Sequence, residues 1–338
     1  MRNRCTSAAL YALAMILVAS GPALGAQARE STPHKREAAA SRTATPEPAA
    51  DDEEALSRAL ERSLVVSGGV LLPKGRFEVT PALRYDYTRR SGLGIVPPSS
   101  VATRDVTRET LVGSLGAKVG LPWQSQLEVT VPYGRQSIDS VVGATPVSAS
   151  ETGIGDVQFG VSKQLLGENA NRPSLIGNVT WNESSGKTSQ VQPAQQLPAG
   201  VVPAPALGAG YDALNTTLTA VKRMDPLVFT GSVSHAFNQS TTVAGSRVEP
   251  GDTNSAAVRA ILAASPDVSL RGGFSLARTG DTKVGGFTVP GSKQTAAMLE
   301  LGTSIALSKR TLLDLTVGAG LTQDSPDLVV GVALPIRF

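Results

Sequence analysis

From Arg76 to the last residue the chain alternates apolar and polar positions with a period of two. In Arg76–Tyr87 the residues Phe77, Val79, Leu83, Tyr85 and Tyr87 fall on one side and Glu78, Thr80, Arg84 and Asp86 on the other. That is a strand with one apolar and one polar face. The final segment repeats the pattern, with Leu328, Val330, Val332, Leu334 and Ile336 leading to an aromatic terminus, Phe338. Twelve such segments can be marked. After the first come Arg108–Leu121, Ser125–Gly134, Asp156–Leu166, Ser174–Glu183 and Tyr211–Lys222. Leu227–Asn238, Thr253–Ala264, Asp267–Arg278, Lys293–Leu307, Thr311–Gln323 and Asp327–Phe338 complete the set.

The connections alternate in length. Those near 122, 169, 224, 266 and 309 are short, whereas 88–107, 135–154, 184–210, 239–252 and 279–292 are long and rich in Gly, Pro, Ser and Thr. Bacterial membrane barrels have short periplasmic turns and long external loops, so this alternation predicts both termini on the periplasmic side. Asp324-Ser325-Pro326 is short yet falls on the external side, which leaves the strand number open by one hairpin. Aromatic residues make up 4% of the chain but are placed in two groups. Phe77, Trp123 and Phe338 fall at one set of strand ends, and Tyr85, Tyr87, Tyr133, Trp181, Tyr211 and Phe237 at the other, as two interfacial belts require. A soluble β-sandwich would also alternate, but it has less reason for strands of this length or for belts. The expectation is therefore an all-β fold: a transmembrane, antiparallel, up-and-down β-barrel of about twelve strands over 70–338.

The segment ahead of the barrel reads differently. Arg2 and Arg4, an apolar run from Ala8 to Ala19 and the small-x-small site Ala26-Gln27-Ala28 predict a secretory signal peptide over 1–28. Its removal lowers the net charge from +3 to about +1, so the basic pI is no argument for nucleic acid. The single cysteine, Cys5, leaves with it, which excludes disulfides and thiolate metal sites from the mature chain. Residues 29–50 read as a disordered linker. In 51–66, acids at the front and Leu56, Ala59, Leu60 and Leu64 on one face predict a short amphipathic periplasmic helix. It could line the rim, plug the barrel or self-associate.

Three stretches carry a family likeness. Thr152-Gly-Ile-Gly-Asp-Val-Gln-Phe-Gly-Val161, Met224-Asp-Pro-Leu-Val-Phe-Thr-Gly-Ser-Val-Ser234 and Ser325-Pro-Asp-Leu-Val-Val-Gly-Val-Ala-Leu-Pro335 resemble the outer-membrane barrels of the family called putative MetA-pathway of phenol degradation. The branch containing the functional-amyloid secretion channel is especially similar. The resemblance implies a twelve-stranded barrel for transport across the outer membrane. That channel has a longer helical periplasmic segment that gates and trimerises it, and only 51–66 could correspond here.

Alternation places Glu78, Arg84, Asp86, Lys118, Glu128, Asp156, Arg259, Arg271, Glu300 and Asp314 on the inner face as lumen-lining candidates for transport. They could guide a cargo, or pair with one another and hold the barrel shut. Gly153-Ile-Gly155-Asp156 precedes a strand, not a helix, so it is no phosphate loop. His235 shares a face with Phe229, Val233 and Phe237 and reads as a belt residue; no catalytic triad, cofactor or metal site is visible.

The expected function is an outer-membrane channel or transporter secreting an extracellular protein subunit or similar cargo. Uptake of small aromatic or apolar compounds is the alternative, a lipid-modifying barrel enzyme using His235 a third, and a purely structural or adhesive barrel a fourth. The expected partners are outer-membrane lipid, the barrel-assembly machinery acting on Phe338 as its signal, and an unknown cargo. Nucleic acid is not among them, and a homo-oligomer is left open.

Overall fold

A computed structural model of the chain describes residues 69–96, 100–142, 145–186, 205–243 and 245–338. The expected signal peptide, linker and amphipathic helix lie outside the described residues. Among those described there are strands and turns and no helix. The strands are β1 (Phe77–Val96), β2 (Ser100–Leu121), β3 (Ser125–Val142), β4 (Thr145–Ile154), β5 (Val157–Leu166) and β6 (Ser174–Glu183). They continue with β7 (Ala213–Met224), β8 (Leu227–Asn238), β9 (Thr241–Val243), β10 (Ser246–Glu249), β11 (Thr253–Ala263) and β12 (Val268–Thr279). The last six are β13 (Lys283–Val284), β14 (Phe287–Thr288), β15 (Gln294–Ala306), β16 (Leu312–Gly320), β17 (Leu328–Ala333) and β18 (Ile336–Arg337).

The long strands pair antiparallel with their neighbours in chain order, and the last returns to the first. Tyr87 pairs with Leu328 and Ala82 with Ala333, and β18 continues the seam to Glu78 opposite Arg337. β4 and β5 are one stave broken at Gly155-Asp156, both paired to β3, and β17 and β18 are one stave paired to β1. Twelve staves thus close a cylinder, which leaves no backbone edge for lipid to meet. Strands ~4.8 Å apart and tilted ~40° give twelve staves a backbone diameter of about 24 Å.

The alternation of the sequence becomes the two faces of this wall. Leu83, Leu115, Val131, Val161, Val258 and Leu301 are exposed on the outside, where acyl chains cover them. Phe77 and Phe338 meet at the short-turn end with ring centroids 6.1 Å apart, beside the last backbone pair of the seam. Trp123 is 85% exposed at the same end. It occupies a three-residue turn in which Trp123 and Gln124 both have positive φ (60° and 53°), a left-handed conformation costing of order 1–2 kcal/mol each. Ser125 Oγ donates to the Pro122 carbonyl and ties that turn.

Two of the expected loops are strand instead. β1 and β2 pair without interruption from Phe77 opposite Val119 to Val96 opposite Ser100, so 88–96 and 100–107 form the upper half of a hairpin and not a coil. Likewise β3 and β4 pair from Tyr133 opposite Ile154 to Val142 opposite Thr145, which makes strand of 135–142 and 145–154. A 20-residue strand tilted ~40° rises ~50 Å, about twice the apolar band, so these halves stand above the membrane. The stretches 239–252 and 279–292 hold β9, β10, β13 and β14, which form a small separate sheet at the long-loop end.

Candidate functional site: the barrel lumen

The inner wall carries charge in tight pairs. The Arg271 guanidinium forms a fork with both oxygens of Asp314, whose side chain is 7% exposed, and also reaches Thr316. Ser304 Oγ donates to the same carboxylate at 2.6 Å. On the staves flanking Arg271, Arg259 of β11 meets Glu300 of β15 at 3.4 Å, and on β1 Arg84 meets Asp86 at 2.8 Å. Near the short-turn end Glu78, 1% exposed, accepts from Arg337 at 2.9 Å with Lys118 at 3.9 Å. Glu128 takes a hydrogen bond from the Asn178 amide at 3.0 Å, and Asn178 also donates to Ser162.

Arg271 and Glu128 lie flat because the residue across the strand from each is glycine. Gly302 is opposite Arg271, and a Cβ there would sit 2.6 Å from the Arg271 Nε and 2.9 Å from a backbone carbonyl. Gly160 is opposite Glu128, and a Cβ there would fall 2.3 Å from the Glu128 carboxylate. Glycine is the one residue that leaves the charge room against the wall.

Asp156 has a different task from the other candidates. It sits in the break between β4 and β5, where its carboxylate accepts from the Gly186 N–H at 3.0 Å and the Ala209 N–H at 2.6 Å. It thereby clasps the two ends of the long connection between β6 and β7. Gln136, on the inner face of β3, accepts from the Ala206 N–H at 3.0 Å, so the described end of this connection, 205–212, folds into the mouth. Burial, with the charge of Asp156 beside it, raises the Tyr211 phenol above its ordinary pKa in this loop. The Gly-Ile-Gly-Asp stretch is therefore a loop seat.

The short-turn end is crossed by the chain leading into β1. The Leu72 N–H donates to Gln126 Oε1 at 3.0 Å on β3, while Val70 packs on Val221, Val228 and Ile261 of the far wall. A Cβ at Gly120 would lie 2.1 Å from the Pro73 carbonyl oxygen, so the strap rests directly on β2. Sequence reasoning missed this strap, because Gly69–Pro73 has no periodicity. It also passed over Arg337, which alternation from Phe338 places on the inner face.

At the long-loop rim, Asp327 accepts from the Arg89 N–H at 2.6 Å and pairs with Arg90 at 2.8 Å. Burial alone would raise its pKa, but these two partners outweigh that and hold it below the ordinary value. His235 stands on the outer face, with Nδ1 2.8 Å from Asn254 Oδ1 and its ring edge-on to Phe237 at 4.1 Å. It borders a shallow outer groove of about 660 Å³ lined by Val161, Val179, Leu218 and Val233.

The sequence profile of the putative MetA-pathway of phenol degradation family matches residues 86–338. The chain belongs to that family. Among solved structures it is similar to an outer membrane channel from Pseudomonas putida, with 15% identity, 80% of this chain and 97% of that one covered, and a TM-score of 0.61. It is also similar to the translocator domain of the autotransporter NalP from Neisseria meningitidis, at 11% identity over 85% of this chain and 97% of that one, with a TM-score of 0.44. The CymD monoaromatic hydrocarbon channel aligns at 9% identity over 83% of this chain and 93% of that one, with a TM-score of 0.42. Fold, seam and family together make this chain a β-barrel of the outer membrane.

Proposed function

We propose that the barrel is a channel taking small solutes inward across the outer membrane, from the long-loop mouth to the short-turn mouth. The observation that carries this is a closed twelve-stave wall with a charged and hydrogen-bonding inner face. Side chains lying ~6 Å deep inside a ~24 Å backbone cylinder leave a lumen about 12 Å across, enough for a small hydrated solute. In this reading Glu78, Arg84, Asp86, Lys118, Glu128, Arg259, Arg271, Glu300 and Asp314 line the path, and Asp156 positions the loop over its outer mouth. The family's description, with its reference to phenol degradation, supports uptake of small compounds more than export. Export of a polypeptide would also require the strap at 69–73 and the loop at 205–212 to leave the lumen together.

The test is conductance of the full chain in planar bilayers, for the unmodified protein and for Gly120→Ala. The alanine Cβ meets the Pro73 carbonyl and lifts the strap from the wall, so the variant should conduct more, with longer openings. No conductance from either protein, with the barrel shown folded by its heat-modifiable mobility, would overturn the reading.

A further inference from the structure

Charge is distributed unevenly around this lumen. The pairs Arg84 with Asp86, Arg259 with Glu300 and Arg271 with Asp314 all lie on the arc from β11 through β16 to β1. On β5 to β8, a third of the circumference, no ionisable side chain faces inward over 158–164, 174–182, 213–221 and 228–238. The register with Glu128 and Arg259 fixes which side chains those are. The arc presents amides and hydroxyls instead. Asn215, Thr217 and Thr219 form an inward row on β7, with Ser234 opposite Thr217 and Ser232 opposite Thr219. Thr217, Thr219 and Ser232 are half-buried, and their hydroxyls have no protein partner among the described residues. The same registers turn every aromatic side chain of the barrel staves outward, among them Phe159, Trp181, Phe229 and Phe274.

The chemistry of such a wall selects among solutes. A charged solute gains little here, since the charges opposite are already satisfied by one another and the arc offers no counter-charge. An aromatic solute finds no ring to stack on, so a phenol is met here through its hydroxyl alone. A neutral polyhydroxy solute exchanges hydrogen bonds to water for bonds to free hydroxyls at small net cost. We propose that the β5 to β8 arc is the contact surface for uncharged, hydroxyl-bearing solutes of monosaccharide or polyol size, with Thr217, Thr219 and Ser232 setting that preference. This rests on the channel reading above.

The experiment is swelling of proteoliposomes holding the full chain, in isotonic arabinose, sodium arabinonate and glucosamine hydrochloride, with potassium chloride conductance measured in parallel. Arabinose should enter about fivefold faster than either charged analogue, the equivalent of roughly one hydrogen bond. The triple variant Thr217→Val, Thr219→Val, Ser232→Ala should lose most of that advantage with conductance unchanged, and Thr217→Ser alone should keep it. Equal rates for all three solutes, or a triple variant that slows arabinose and ions alike, would overturn the assignment of the arc. If the unmodified protein shows neither swelling nor conductance, the channel reading itself falls, and the assignment with it.

Discussion

At the scale of the residue, the lumen is organised by what stands across the strand from each charge. Arg271 and Glu128 could be read as inward-facing from the alternation alone, and Gly302 and Gly160 could be read only as glycines in strands. The register joins them: each glycine is the space in which its opposite charge lies down. Gly302→Ala should therefore push the Arg271 guanidinium off Asp314 and into the lumen. The overpacking and the disrupted fork should cost about 1–3 kcal/mol, read as a lower urea midpoint in detergent. Conductance should fall and selectivity shift toward anions, measured as a reversal potential under a salt gradient. An unchanged midpoint and unchanged selectivity would mean that Arg271 has room elsewhere.

At the scale of the element, the connections carry most of what the sequence concealed. The stretch 88–107 looks like a loop because its Gly, Ser and Arg content matches coil, yet its backbone continues the ladder above the membrane, where no apolar face is required. The short turn before β17 is held by Asp327, which ties it to Arg89 and Arg90 of β1, and by the buried Ser325, hydrogen-bonded to both backbone groups of Ala297. The sign of its pH dependence follows from the depressed pKa of Asp327. The tie is complete above the ordinary carboxylate value of 3.8 and is lost as the pH falls through the lower folded value. A spin label at Gln323 should thus become mobile only below about pH 4, and in Asp327→Asn at every pH. Mobility that rises already near neutral pH would assign the tie to some other group.

At the scale of the whole molecule, closure gives the barrel two membrane boundaries and two narrowed mouths. The chain has two tryptophans, and the structure places Trp123 at the short-turn boundary and Trp181 outward near the opposite strand ends, across from Phe159. Both should be quenched by lipids brominated near the headgroup more than by lipids brominated near the bilayer centre, and Trp123→Phe should leave a signal of the same depth dependence. Stronger quenching from the bilayer centre would place the apolar band wrongly along the wall. The mouths are narrowed by segments from opposite ends of the wall, the strap at 69–73 and the loop at 205–212, and the hydroxyl-bearing arc proposed above as the solute contact lies between them.

The sequence by itself determined most of the strands, their two faces, the number of staves to within one hairpin and which end bears the short turns. Each of these follows from a period of two and from local turn chemistry, which neighbouring residues settle among themselves. Only the tertiary structure decided that Arg271 meets Asp314 and that Asp156 holds a loop in place of facing the open lumen. It alone placed Val70 across the lumen from Gln126 and left the inner face of β5 to β8 uncharged over 158–164, 174–182, 213–221 and 228–238. These depend on the register of every stave around a closed ring, and a ring constrains residues that no local pattern brings together.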